Sequence, residues 1–298
     1  MNHADPKQSR RGGHRHVSPP PLAILPTMLT NFEPGVYAWL ADGSETTHST
    51  NVGVVIANDG VTVIDSGPTP RAAGQAAAAI AELTPTPIRR LVLSGSHIDL
   101  VGGTAAFPLA AIYGSGQTSD HLDQEPNPAA WKHLHPELAS QFDEFVTRPV
   151  SHVVGEPAYL CPASIAVPVA GPQFENLCVQ VPAANVVFAG CVTAFGSVPL
   201  GFEADFEAWI STLETLSTLG EIFVPAHGAV GGTGDLMLLV DYLTACLNAR
   251  GSVAKLVAGP WTEWHNQHFN EINVERCHML TQGDPSPPPS MLRLLGHT

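Results

Sequence analysis

The stretch Ser94-Gly95-Ser96-His97-Ile98-Asp99-Leu100, followed by Gly102-Gly103, decides the fold and limits the function of this chain. It stands directly after residues 88–93, a short apolar run that predicts a buried strand. His97 and Asp99 are side chains that zinc accepts as ligands. Gly95 and Leu100, on either side of them, have no ligand atom. The stretch therefore contains only part of a metal-binding pattern.

Length and composition are typical of a globular chain. It has 298 residues, of which 44% are hydrophobic and 13% are charged. Residues 1–27 differ, because they hold a run of three prolines, a His14-Arg15-His16 tract and no apolar stretch that could serve as a secretory signal. We predict a disordered tail over residues 1–27 and one domain over residues 28–298. A metal-collecting role of the His tract is a weaker alternative.

The charge balance restricts the partners. Beyond residue 27 the chain has 9 basic and 26 acidic residues, a formal charge of −17 that repels phosphate backbones and anionic membrane surfaces. We therefore expect a small-molecule substrate or ligand, no nucleic acid and no membrane. Five Cys residues without CxxC spacing suit a reducing compartment, which predicts a cytoplasmic protein.

Predicted strands and helices alternate in two halves that resemble each other. Asn58-Asp59-Gly60 is a hairpin turn signal, and Asp205 is placed to cap a helix. The first half has predicted strands over residues 51–56, 61–65 and 88–93, with a helix over 71–83. The second half has predicted strands over residues 177–181, 186–189 and 221–224, with helices over 205–219 and 236–249. A further amphipathic helix is predicted over residues 129–146. Duplicated halves of this kind predict two sheets covered by helices.

In placement and length, the 94–100 stretch resembles the Thr-His-x-His-x-Asp-His signature of the metallo-β-lactamase superfamily. Three further stretches resemble that family: Val63-Ile64-Asp65-Ser66-Gly67, Val187-Phe188-Ala189-Gly190-Cys191 and Val224-Pro225-Ala226-His227-Gly228. In the family these stretches lie at strand ends around one cleft. The resemblance covers about residues 32–258 and implies an α/β fold, a four-layer αββα sandwich of two mixed β-sheets flanked by helices.

The resemblance also implies that one of the family's two metal positions has been lost. Gly95 and Leu100 stand where the family has His. Phe174, in Gly171-Pro172-Gln173-Phe174-Glu175, aligns with the His of a Gly-Pro-x-His-Thr pattern. Two of these three His residues, together with the one that matches His97, would complete the first metal position. That position is therefore expected to be abolished.

For the second position, the resemblance implies a single zinc ion held by Asp99, Cys191 and His227, the donor types with which zinc β-lactamases bind one zinc. His97 would be a further ligand or the base that acts on the attacking water, and Asp65 would orient the loops. Other interpretations stay open at this point. Cys191 would serve as a small buried apolar residue, His227 as a hydrogen-bond partner in a turn, and Asp99 as a helix cap.

Two functions are consistent with these residues. The first is a hydrolase-like protein that cleaves an ester, thioester or lactone with a metal-bound hydroxide, with His97 and Asp99 as catalytic residues. The second is a catalytically inactive pseudoenzyme whose metal-free cleft binds a small molecule or a partner protein. β-Lactamase activity is not expected, since Ala194 stands where a Lys would hold the carboxylate of the drug.

Several other residues have weaker signals. His48 and His121 are expected in loops near the mouth of the cleft, with solvated side chains. Trp261 and Trp264 are suited either to core packing or to the contact of a homodimer, and the sequence does not separate these uses.

Overall fold

The computed structural model describes residues 1, 29–41, 50–124, 126–143 and 145–296. The predicted tail, apart from Met1, and His48 lie outside these residues. The domain boundary at residue 28 therefore stays a prediction.

The first sheet has seven strands in chain order: β1 (Leu29–Glu33), β2 (Val36–Trp39), β3 (Val52–Ala57), β4 (Gly60–Ile64), β5 (Ile88–Val92), β6 (Ala111–Gly114) and β7 (His152–Val153). Strands β1 to β4 are antiparallel, and β4 to β7 are parallel. Helix α1 (Pro70–Leu83) connects β4 to β5. Three short helices follow β5 and β6: α2 (Ile98–Val101), α3 (Gly116–Asp123) and α4 (Ala129–Leu134).

The second sheet has five strands: β8 (Ala158–Cys161), β9 (Ser164–Val169), β10 (Asn176–Val181), β11 (Val186–Phe195) and β12 (Ile222–Gly228). Their order is β12-β11-β10-β9-β8, and the β11–β12 pair is parallel whereas the others are antiparallel. Helix α5 (Phe206–Leu216) connects β11 to β12. The chain then continues through α6 (Thr233–Asn248), α7 (Phe269–Thr281) and α8 (Pro289–Leu294).

The predicted duplication is present in the topology. In the first half β3 pairs antiparallel with β4, and α1 leads to β5, which is parallel to β4. In the second half β10, β11, α5 and β12 repeat this arrangement. The turn between β3 and β4 needs Gly60, because its φ is 149° and a Cβ there would lie 2.3 Å from Cγ of Arg89.

Three apolar clusters hold the layers together. Side chains of both sheets pack between them, including Val55 and Ile64 of the first sheet and Leu177 and Phe188 of the second. Helix α1 covers the outer face of the first sheet. Helices α5, α6 and α7 cover the outer face of the second. The fold is thus the expected αββα sandwich of two mixed sheets.

One predicted helix was wrong, and one alternative interpretation does not hold. The amphipathic helix over residues 129–146 is instead the short helix α4 and a 3₁₀ segment, Pro136–Phe142. Pro136 has no N–H and cannot continue an α-helix, which explains the break. Asp99 does not cap a helix near Gly102, because it lies inside α2, whose N-cap residue is His97. Asp205 does cap α5, and its side chain accepts a hydrogen bond from Ala208 N.

The two tryptophans near the C-terminal helices pack inside the chain. Trp261 is 7% exposed, and both Trp261 and Trp264 contact the ring of Tyr242 on α6. This arrangement agrees with the packing alternative. Within the described residues no helix has the length and apolar character needed to cross a lipid bilayer.

Candidate functional site

Asp65, directly after β4, anchors the loop that follows β5. Its carboxylate accepts hydrogen bonds from the backbone N and the Oγ of Ser94, each at 2.8 Å. The residue has a φ of 61°, a left-handed conformation that Asp tolerates better than most side chains. Burial raises the pKa of Asp65 to about 7, although both Ser94 hydrogen bonds lower it. Ser94 Oγ also accepts from Cys191 N at 3.2 Å, so this loop is held to both sheets.

Asp99 and His227 form a direct pair across the two sheets. Nε2 of His227 lies 2.7 Å from Oδ2 of Asp99, and their side chains are 28% and 10% exposed. The residues before β3 hold both partners. Thr50 Oγ1 donates to Asp99 O at 2.8 Å, and Asn51 Nδ2 donates to the carbonyls of Pro225 and Gly228, which flank His227. The pair is therefore fixed by its backbone as well as by its own hydrogen bond.

Cys191 lies deeper, against the second sheet. Its Sγ is 3.1 Å from Nδ2 of Asn176 and 3.5 Å from Ser94 O. Burial, with smaller contributions from the negative charges of Asp65 and Asp99, raises the pKa of the Cys191 thiol well above its usual range. In this arrangement the thiol is protonated at neutral pH and is not a nucleophile.

Gln173 occupies the centre of the cleft, and its side chain is fully hydrogen-bonded. Its Oε1 accepts from Ser96 N at 2.9 Å. Its Nε2 donates to Ser96 Oγ at 2.7 Å and to Glu203 Oε2 at 2.8 Å. The residue is only 1% exposed. Ser96 Oγ is in turn 2.6 Å from Nδ1 of His121, so the His121 ring belongs to the network. His121 lies in helix α3 and not in a loop as the sequence predicted.

His97 contacts the same carboxylate oxygen of Glu203 that Gln173 contacts. Its Nε2 is 3.3 Å from Glu203 Oε2, and its ring stacks on Phe202 with centroids 5.4 Å apart. Burial lowers the pKa of His97, but the hydrogen bond to Glu203 and the charge of that carboxylate raise it by more, so the net shift is upward from 6.5. Burial likewise opposes ionisation of Glu203, yet His97 and Gln173 lower the pKa of Glu203 to about 2. The two groups therefore form a charged pair at mildly acidic pH.

Gly95 has no room for a side chain. A Cβ there would lie 2.7 Å from Gln173 Oε1, 3.0 Å from Cys191 Sγ and 3.2 Å from Asn176 Nδ2. Leu100 is fully buried in the apolar cluster under the first sheet. Neither residue has the means to bind a metal.

A comparison with known families now identifies the architecture. Residues 46–227 match the family model of the metallo-β-lactamase superfamily, which is more than half of the chain. The chain belongs to the metallo-β-lactamase superfamily. Membership supports a hydrolase-like function in general terms and leaves the substrate open.

Solved structures of the superfamily have the same fold. A metallo-β-lactamase from Pseudomonas aeruginosa in a mono-zinc form is 17% identical, with a TM-score of 0.59 over 74% of this chain and 96% of that chain. Metallo-β-lactamases from Hirschia baltica and Erythrobacter litoralis have TM-scores of 0.57 and 0.56 and identities of 17% and 18%. They cover 74% and 72% of this chain, and 98% and 95% of their own lengths. At such identities the likeness concerns the fold alone.

The residues of the two metallo-β-lactamase metal positions fit zinc differently. At the first position Gly95 supplies no ligand, and the Gln173 carboxamide fills the adjacent space, so the residues do not fit a metal there. At the second position the donor types of Asp99, Cys191 and His227 fit one zinc ion, and two of them are already in contact. Cys191 pairs with Asn176 instead, and the described residues contain no group of three or more His, Cys, Asp or Glu side chains gathered as a metal site.

The two residues that follow Gly171-Pro172 point in opposite directions. Phe174, expected in the place of a metallo-β-lactamase His, is 52% exposed, and the guanidinium of Arg276 lies 5.9 Å from its ring centre. Gln173 points into the cleft instead. Glu203 had no signal, since it lies in a loop outside every family motif.

A largely polar cavity lies beside the Gln173 network. A cavity of about 440 Å³ adjoins His121 and is lined by Gly116, Gln117, Asp120, His121, Gln124, Phe174 and Glu175. The carboxylates of Asp120 and Glu175 contribute negative charge to this lining.

Proposed function

We propose that this chain is a hydrolase-like protein with a single metal position, formed by Asp99, Cys191 and His227, that cleaves an ester, thioester or lactone. The observation that carries the proposal is the 2.7 Å contact between Asp99 Oδ2 and His227 Nε2 at the cleft. Together with a thiol these groups make a donor set that zinc accepts. Zinc held there would supply a Lewis acid that polarises the carbonyl of the substrate.

The chain's own residues would handle the proton. Glu203 accepts a hydrogen bond from Nε2 of His97 and raises the basicity of the imidazole. Nδ1 of the same ring would then take a proton from the attacking water. Phe202, stacked on the ring, restricts its rotation and shields one of its faces from solvent. Asp99 would have a dual part, as a ligand and as the partner that orients His227.

The substrate class follows from charge. No cation stands at residue 194, and beyond residue 27 the formal charge is −17, so an anionic substrate would be repelled. A neutral ester, thioester or lactone meets neither obstacle. The same charge supports the expectation that neither nucleic acid nor an anionic membrane is a partner.

A second candidate is the pseudoenzyme, a metal-free cleft that binds a small molecule or a partner protein. The observation that favours it is the hydrogen-bonded network of Gln173, which fills the first metal position. The pairing of Cys191 with Asn176 rather than with Asp99 or His227 also favours it. The cavity beside His121 is the place where such a ligand would bind.

Metal content separates the two candidates. Tag-free wild type, Cys191→Ser and the control Cys161→Ser would be loaded with zinc, dialysed and measured by plasma mass spectrometry. Cys161 is a matched control because it is 5% exposed and contacts Ser164 Oγ, outside the cleft. The hydrolase predicts about one zinc per chain in wild type and Cys161→Ser, its loss in Cys191→Ser, and hydrolysis of a neutral aryl ester or a lactone. Absence of zinc and of hydrolysis in wild type would exclude it in favour of the binding protein.

A further inference from the structure

The Gln173 side chain connects three separate loops at the centre of the cleft. Its amide hydrogen-bonds to Ser96, in the loop after β5, and to Glu203, in the loop before α5. Gln173 itself lies in the loop before β10, where Asn176 Oδ1 accepts from its backbone N at 3.2 Å. These hydrogen bonds use both the oxygen and the nitrogen of the buried amide. They can all form only in one arrangement of the three loops.

Glu203 transmits this arrangement to His97. One oxygen of its carboxylate, Oε2, lies 2.8 Å from Gln173 Nε2 and 3.3 Å from His97 Nε2. The backbone of Glu203 is held independently, because Nη2 of the buried Arg276 donates to its carbonyl at 3.1 Å. The orientation of the Glu203 side chain, and with it the position of the His97 ring, therefore depends on the amide of Gln173.

The Gln173 amide also occupies the space that a side chain at residue 95 would need. Its Oε1 is the nearest atom, 2.7 Å from where the Cβ of residue 95 would stand. The superfamily resemblance places imidazoles of the first metal position at residues 95 and 97, and aligns Phe174 with a further His. Because Gln173 rather than Phe174 faces this space, His at residue 95, His at residue 173 and the existing His97 would bring three imidazoles together here. The amide and such a set cannot be present together.

We infer that Gln173 is a positioning residue, a metal-independent brace that holds Glu203 and His97 in the cleft in place of the missing first metal. The inference goes beyond the proposed function, because the brace acts whether or not Asp99, Cys191 and His227 bind zinc. It makes no contact with a reacting atom and acts through Glu203 and through Ser96, the residue before His97.

The first test compares Gln173→Ala with Gln180→Ala. Gln180 is a matched control, a part-buried glutamine on β10 whose Nε2 donates to Leu219 O at 2.7 Å, away from the cleft. We expect Gln173→Ala to lower Tm by about 6–10 °C and Gln180→Ala by about 2–4 °C. Gln173→Glu should behave like Gln173→Ala despite its shape, because it loses the donor that faces Glu203.

A spectroscopic readout distinguishes a positioning role from a general structural one. The ring nitrogens of His97, observed by long-range ¹H–¹⁵N correlation and assigned with His97→Gln, should shift in Gln173→Ala and Gln173→Glu and stay unchanged in Gln180→Ala. Equal Tm losses in Gln173→Ala and Gln180→Ala, or unchanged His97 ring signals, would overturn the inference.

The second test restores the metal. The double variant Gly95→His/Gln173→His should take up one zinc more per chain than wild type, and zinc should raise its Tm relative to the chelated protein. Counting zinc relative to wild type keeps this result separate from the proposed function, whose own zinc is lost in Cys191→Ser. A folded double variant without additional zinc would show that the amide does not stand in the place of the metal. If the double variant does not fold, the comparison of Gln173→Ala with Gln180→Ala decides the question.

Discussion

Gly95→Ala is the smallest change that tests how tightly the cleft is packed. The new methyl group would lie 2.7 Å from Gln173 Oε1, 3.0 Å from Cys191 Sγ and 3.2 Å from Asn176 Nδ2. Displacing these atoms from a packed interior lowers the free energy of unfolding by about 1–3 kcal/mol. Moving Oε1 away from Ser96 N also leaves a buried donor unsatisfied, at about 1–3 kcal/mol. Since the two costs partly describe the same displacement, we expect the free energy of unfolding to fall by about 2–4 kcal/mol.

Urea unfolding followed by circular dichroism measures this difference, with the slope on denaturant checked for constancy. Gly74→Ala is the control, because a Cβ at this residue of α1 meets no atom within 4 Å, and a helical Ala should raise stability by up to about 1 kcal/mol. In the double variant Gly95→Ala/Gln173→Ala the two losses should be less than additive, because the nearest clashing atom is gone. A Gly95→Ala protein within about 0.5 kcal/mol of wild type, or strictly additive losses, would refute the packing described for this cleft.

Two further predictions concern the charged groups. Asp65→Asn keeps an acceptor for Ser94 and tolerates the φ of 61°, so it should cost about 1 kcal/mol, whereas Asp65→Ala should cost about 2–3 kcal/mol. Because the pKa of Asp65 is raised from 3.8 to about 7, its contribution to stability falls as pH rises through that interval, and Asp65→Asn should remove this slope in urea unfolding series from pH 4 to 8. The His97–Glu203 pair differs from Asp65, because its contribution to stability is lost both at low pH and at high pH. The lowered pKa of Glu203 gives stability present above 4.5 and lost toward about 2, and the raised pKa of His97 gives stability present below 6.5 and lost as pH rises through its folded value. Glu203→Gln should therefore cost about 1 kcal/mol at pH 5.5 and clearly less at pH 8.5, and equal losses at both would contradict the pairing.

The layers of the fold were predictable because their signals are local. The Asn58-Asp59-Gly60 turn predicted the β3–β4 hairpin, and the alanine-rich run after Pro70 predicted α1. Their repetition around β10 and α5 predicted the second half of the sandwich. The helix over residues 129–146 failed because a regular apolar stripe was given more weight than Pro136, which interrupts the backbone hydrogen bonds.

The site was predictable only in its motifs. The direct contact of Asp99 in α2 with His227 in β12 joins residues 128 positions apart, and each residue belongs to a stretch that resembles the superfamily. Ser96 and Gln173 also belong to such stretches, but the resemblance assigns them no role there, and His121 and Glu203 belong to none. These four residues meet because three loops and helix α3 converge, and side chains of this kind have no periodic or spacing signal along the chain.

By itself the sequence determined the αββα layers and the absence of imidazoles at residues 95 and 100, since residue identity and periodicity are properties of the chain alone. Only the tertiary structure decided what fills the space that those losses leave. That outcome depends on distances between loops far apart in sequence, which the packing of two sheets sets. There Gln173 turns inward and Phe174 outward, Cys191 pairs with Asn176, and a carboxamide joins Ser96 to Glu203, because protein interiors are close-packed and most buried polar atoms have hydrogen-bond partners.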